Sequence, residues 1–164
     1  MPNYVYPMKA KSIIQYAAIS FLIGSIISLI LEKNSSIIKR KNEVRNIINT
    51  KKTFELSLSS NEIIEDELEF LVATIQDNSS EKIIISSLES NDIVINQICN
   101  SLNKNISNKF FISDKISDLA KYKNTILVIT LNKTLKESLT NFKRKVDNLK
   151  IEILNLIIIS NYDE

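Results

Sequence analysis

The residue types that could do chemistry gather in one turn of the 164-residue chain, at Ser86, Ser87, Ser90, Asn91 and Asp92 in IIISSLESNDIVINQI. An apolar run, a polar turn and a helical pattern in that order form the arrangement in which phosphate binds at a helix N-terminus. A phosphate loop needs glycines so that the backbone can curl round the anion. It also needs a lysine to neutralise the charge and a Ser or Thr to hold Mg²⁺. Between Lys82 and Lys104 there is neither glycine nor lysine. The five residues therefore read as a degenerate phosphate loop whose side chains serve as turn and capping groups, and no cofactor is expected. A second polar group, Glu62, Glu65, Asp66 and Glu67, has the composition of a metal or acid–base site, but its place in the first turns of a helix makes it a dipole-stabilised solvated face. The chain has no histidine and a single cysteine, Cys99. That excludes intrachain disulfides, Cys/His metal sites and His-dependent triads. Cys99, in VINQICNSL, reads as a buried thiol.

The elements that must position this turn follow from hydrophobic periodicity. Thr53–Leu58 alternates like a short strand. Ser59 with Glu62 has capping-box spacing at the head of EIIEDELEFLVATIQ. Lys82–Ser87 reads as a buried strand, and Ser90 as the cap of a helix to about Leu102. Lys109–Ser113 reads as a short strand, with Asp114 capping a short helix to Tyr122. Thr125–Leu131 reads as a buried strand. Thr134 with Glu137 forms a second capping box, and Ile151–Ser160 is the last strand. Apolar runs alternating with helices imply an α/β fold with a parallel sheet covered on both faces.

Upstream lies SIIQYAAISFLIGSIISLIL, Ser12–Leu31, which no charged residue interrupts. At about 1.5 Å per residue it suffices to cross a hydrocarbon core of about 30 Å. A signal peptide is the rival reading, but the apolar run is longer than a signal core, and Glu32-Lys33-Asn34 follows where a small-residue cleavage site would stand. Lys9 and Lys11 precede the stretch, whereas Lys33, Lys39, Arg40, Lys41 and Arg45 follow it. By the positive-inside rule the N-terminus is outside and the body of the chain cytoplasmic, in the plasma membrane. Ser20, Gly24 and Ser28, four apart, form a small-residue face that favours helix pairing in lipid. The expected layout is an extracytoplasmic leader at 1–11, a transmembrane helix at 12–33, a basic juxtamembrane linker at 34–58 with an amphipathic helix lying at the lipid surface, and an α/β domain at 59–164. A net charge of +2 gives no field that would point to nucleic acid.

Three blocks carry a resemblance. They are YPMKAKSIIQYAAISFLIGSIISLILEK, NEIIEDELEFLVATIQDNSSEKIIISSLESNDIVINQICNSL and LAKYKNTILVITLNKTLKESLTNFKRKVDNLKIEILNLIIISN. In that order they resemble the C-terminal part of the bacterial polysaccharide chain-length determinants fused to a tyrosine autokinase domain, the polysaccharide co-polymerase family. Lys133-Thr134 falls where that family has Lys-Thr. The glycines and lysine of its phosphate loop are missing, Ser113–Leu119 is too short for its further strand, and its tyrosine-rich tail is reduced to Tyr162. The resemblance implies a reduced P-loop-NTPase-like domain behind a single membrane helix. The chain would then be a non-enzymatic scaffold or regulator in exopolysaccharide, capsule or lipopolysaccharide biosynthesis, without a cofactor. Its partners would be the membrane and either a second copy or other polysaccharide-assembly membrane proteins. The alternatives are an unrelated membrane-tethered α/β adaptor, or an ATP-binding tyrosine kinase with an atypical loop.

Overall fold

The computed structural model describes residues 10–33, 35–50, 52–59, 62–75, 82–89, 92–106 and 109–161. The chain divides into two units, Met1–Ser35 and Ser36–Glu164. The first holds α1 (Ala10–Lys33). Its stretch Ser12–Leu31 is long and apolar enough to cross a membrane. Its apolar side chains, among them Phe21, Leu22 and Leu31, are exposed.

The second unit is mixed α/β. In chain order its described elements are α2 (Lys41–Ile47), β1 (Lys52–Ser59), β2 (Glu62–Ile63), α3 (Glu65–Thr74), β3 (Ile83–Leu88), α4 (Asp92–Asn105), β4 (Phe110–Ile112), α5 (Ile116–Tyr122), β5 (Asn124–Thr130), α6 (Lys136–Asn148) and β6 (Glu152–Asn161). The strands form one sheet in the order β2-β1-β6-β5-β3-β4. All its pairings are parallel except β1 with β2, which meet antiparallel at Leu58–Ile63 and Ser59–Glu62.

The central strands are apolar on both faces because both faces are covered. Successive residues alternate between two cores. Ile83 and Ile85, Ile126 and Val128, and Ile157 and Ile159 join a cluster with Leu71 of α3 and Val94, Ile98 and Leu102 of α4. Ile84, Leu127, Ile129, Leu156 and Ile158 join the other, with Leu119 of α5 and Leu139, Phe142 and Val146 of α6. The expected parallel sheet and its flanking helices are present.

Four local readings are corrected. The stretch 34–58 is not a separate linker: from Ser36 onward it belongs to the α/β unit. Ile38, Val44 and Ile48 are buried in its second core, and 52–59 is a strand of its sheet. A helix with a buried apolar stripe in a protein core has no such stripe left for lipid. Secondly, Ser59 and Glu62 make no capping box. They are opposite residues of the antiparallel β1–β2 pair, and α3 starts only at Glu65 after Ile64. Thirdly, α6 starts after Leu135 with no side-chain cap, so Thr134 is not its cap either. Lastly, Asp114 does not cap α5, whose N-cap is Lys115.

Candidate functional site

Helix α4, which follows β3, covers one face of the sheet; α6, which follows β5, covers the other. β3 and β5 are neighbours, so the connections leaving their carboxyl ends diverge there. This is a topological switch point, the crevice in which open α/β sheets bind ligands. Of the phosphate turn read from the sequence, Ser86 and Ser87 at the end of β3 and Asp92 at the start of α4 lie at this point.

Several of the chain's own polar groups bond to one another there. Asp114, just beyond β4, accepts the Ser86 hydroxyl at 3.2 Å and the Ser87 N–H at 2.9 Å through one oxygen, Oδ1. Ser86 is buried, so its hydroxyl is committed to this contact. Beside it, the Ser113 hydroxyl donates to Asp118 at 2.6 Å and accepts the Lys115 N–H at 3.2 Å. Glu89 follows β3 with a φ of 59°, in the left-handed region. From there its carboxylate accepts the Leu135 N–H at 3.2 Å and the Ser138 hydroxyl at 3.4 Å. Glu89 thus serves the N-terminus of α6 from 46 residues away, where an anion is favoured.

Thr134 closes the crevice from below. It is fully buried; its hydroxyl donates to the Leu88 carbonyl at 3.0 Å and accepts the Thr130 N–H at 3.2 Å. It therefore ties the end of β3 to the end of β5. The segment after α1 is laid over the same turn. Ile38 N–H donates to the Thr134 carbonyl (2.9 Å), Asn132 N–H to the Ile38 carbonyl (2.8 Å), and Lys136 N–H to the Ser36 carbonyl (2.7 Å).

No known protein-family model matches the chain, and no curated protein matches it.

Of the five turn residues, the structure brings Ser86 and Ser87 together with Asp114. Asp92 is the exposed first residue of α4, and its carbonyl accepts the Asn96 amide at 2.8 Å. Ser90 and Asn91 lie outside the described residues, as does Tyr162. The basic residues after α1 have diverse fates. Lys41 and Arg45 both pair with Glu55, the latter at 3.3 Å, while the side chains of Lys39 and Arg40 are exposed. Lys33 is the last residue of α1. Ser20, Gly24 and Ser28 are exposed on α1, and a Cβ placed at Gly24 would meet nothing within 4 Å. Among the described residues no three His, Cys, Asp or Glu side chains converge as a metal site would require.

Cys99 is buried on α4, its thiol directed at the Phe110 carbonyl at 3.4 Å. Burial pushes the thiol pKa up, the opposite of what a nucleophile needs. Sequence reading missed Glu89 and the bridging role of Thr134. Their partners lie 46 residues away, and no local pattern signals such a contact.

Proposed function

We propose that the chain is a membrane-tethered scaffold: α1 anchors it, and a non-catalytic α/β domain, a reduced relative of P-loop domains, docks on partners. The observation that carries this reading is the occupied switch point. A phosphate group needs free N–H donors and a positive or neutral surround. Here the Ser87 N–H is already given to Asp114, and the Leu135 N–H to Glu89. Two exposed carboxylates, Asp114 and Glu89, stand beside these N–H groups, and their like charge disfavours an approaching phosphate.

The anchor is read as a single pass in the plasma membrane, with the N-terminus outside. The bias of Lys33, Lys39, Arg40, Lys41 and Arg45 supports that orientation, since the rule counts Lys and Arg and gives little weight to acidic partners such as Glu55. The face Ser20, Gly24 and Ser28 is proposed to pair two copies in lipid. The resemblance of the three sequence blocks to chain-length determinants supports a role for the scaffold in the assembly of a bacterial surface polysaccharide. The adaptor reading, with no polysaccharide role, shares the anchor and the blocked crevice. A gene neighbourhood of glycosyltransferases and export components favours the first reading, and an isolated gene favours the second.

The direct test is equilibrium dialysis of the full chain in detergent against Mg-ATP, with autophosphorylation measured in parallel. Neither saturable binding nor phosphate transfer is expected. Either one overturns the non-catalytic reading.

A further inference from the structure

Lysine leads three neighbouring strands at the amino end of the sheet. Lys82, Lys109 and Lys123 immediately precede β3, β4 and β5. These strands run parallel, and the pairings Ile83–Phe110 and Ile84–Thr125 set their starts level. Adjacent strands lie about 4.7–4.9 Å apart, so the three lysines form a close row. Like charges side by side on adjacent strands are destabilising. Neutral groups hold two of them. The Lys82 ammonium lies 4.7 Å from the centre of the Phe111 ring and 5.8 Å from that of Tyr122. Lys123 Nζ donates to the Leu149 carbonyl at 2.8 Å. Lys121 adds its ammonium at 5.2 Å from the same Tyr122 ring. Rings and a carbonyl fix these charges in place without cancelling them, and Lys82, Lys121 and Lys123 are exposed. Among the described residues Glu152, which opens β6 beside β5, is one carboxylate against this group.

The opposite charge gathers on α3, which carries Glu65, Asp66, Glu67 and Glu69 and no basic residue. Glu67 is committed to the Ser57 N–H. Glu65 and Glu69 are exposed, and among the described residues neither forms an ion pair. Both line a cavity of about 380 Å³ between α3 and α4, where Lys104 is the one base and Leu68 and Val72 are apolar. Carboxylates four residues apart on a helix start about 5–6 Å from each other, close to the pitch of the lysine row. Leu68 and Val72 offer the apolar surface along which a lysine stem lies.

We propose that these two surfaces bind each other between copies of the chain, Glu65 and Glu69 of one copy taking Lys82 and Lys123 of the next. A chain cannot join its own two surfaces. α3 and α4 cover one face of the sheet, whereas α5 and α6, with Tyr122, pack on the other. The contact is therefore head-to-tail, and each copy in a pair keeps one surface for a further neighbour. Exposed ion pairs are individually weak, so the contact forms where copies are concentrated, as tethering to one membrane concentrates them. A nucleic acid is disfavoured, because lysines lie over the Phe111 and Tyr122 rings on which bases would stack. The proposal names a partner for the docking domain and for that role rests on the scaffold reading.

The test mixes isotopically heavy and light full chains in neutral detergent micelles at low ionic strength and couples carboxylates to amines with a carbodiimide. Mass spectrometry is expected to find heavy–light cross-links that join Lys82 or Lys123 to Glu65 or Glu69. Their yield should fall about tenfold or more as the screening length shrinks from about 30 Å at ~0.01 M salt to about 3 Å at ~1 M. A chain with Glu65→Lys and Glu69→Lys, and a chain with Lys82→Glu and Lys123→Glu, should each lose the salt-sensitive assemblies in sedimentation velocity. Mixing the two variants should restore them, because each reversed surface then meets its complement. Restoration separates docking from any folding defect. Cross-links of these residues confined within single chains, or heavy–light links that leave them out, overturn the proposal. So does a mixture of folded variants that restores nothing. A chain that associates in this way and also binds Mg-ATP overturns the non-catalytic reading alone.

Discussion

Replacing Thr134 with valine keeps the shape of the side chain and deletes only its hydroxyl. That hydroxyl makes two bonds in a fully buried position, to the Leu88 carbonyl and from the Thr130 N–H. Each group that loses its buried partner costs about 1–3 kcal/mol. Taking both together, Thr134→Val should destabilise the α/β unit by about 2–4 kcal/mol, a large share of the ~5–15 kcal/mol that a domain ordinarily has. Thr134→Ser keeps the hydroxyl and loses one methyl, at about 1 kcal/mol. Thr134→Asn separates the bridge from a helix cap: asparagine caps at least as well as threonine, but its larger amide does not fit the buried bridge. Hydrogen-exchange mass spectrometry on the full chain in detergent reads the opening free energy of β3 and β5 without interference from α1. Exchange in 83–88 and 124–130 should speed up about 30- to 700-fold in Thr134→Val, at tenfold per 1.4 kcal/mol. Thr134→Asn should resemble valine, and serine should stay near the parent. An asparagine variant as protected as the parent, or a valine variant within about 0.5 kcal/mol of it, refutes the strand-bridging role.

Gly24→Leu should leave α1 helical, since nothing lies within 4 Å of the added Cβ, yet lower dimer formation in detergent by about tenfold or more if two copies pack on that face; unchanged cross-linking refutes the pairing face. Cys99 should resist iodoacetamide in the folded chain and react on unfolding. Because burial raises its pKa in the folded state, the neutral thiol's contribution to stability is complete below the ordinary thiol pKa of about 8.5 and lost as pH rises through the folded value. Urea titrations should therefore show an alkaline loss of stability that shrinks in Cys99→Ala. Lys150 has a φ of 53°, so Lys150→Gly should stabilise by about 0.5–1 kcal/mol through relief of left-handed strain; a lower urea midpoint contradicts that. Glu89→Gln should raise exchange at the Leu135 amide, the N–H its carboxylate accepts, and cost about 1 kcal/mol.

Hydrophobic period made the sheet legible. β3, β5 and β6 stand almost where the apolar runs IIISS, TILVIT and EILNLIIIS put them, because a strand covered on both faces must be apolar throughout. The polar residues were harder to read because their roles depend on distant partners. Ser59/Glu62 and Thr134/Glu137 both have capping-box spacing, yet one pair sits face to face in the antiparallel β1–β2 ladder and the other leaves its threonine buried between strands. Tertiary hydrogen bonds override a local motif when they satisfy groups that would otherwise be buried without partners. The segment after α1 misled for a related reason: a basic amphipathic pattern says that an apolar stripe will be covered, and the stripe of Ile38, Val44 and Ile48 is covered by protein. At the candidate site, the lack of glycine and lysine was legible directly, whereas the carboxylates of Asp114 and Glu89 closing it became visible only in three dimensions.

The three main-chain bonds that lay Ser36–Ile38 over the β5–α6 turn have a mechanical consequence. A pull on the backbone at Ser36 has no free segment to straighten first. It meets Ile38, buried and bonded on both sides to the turn that contains Asn132 and Thr134. Thr134 in turn grips the ends of β3 and β5. A pull on Ser36 is therefore delivered to the middle of the sheet, making this short segment a lever on the unit's core.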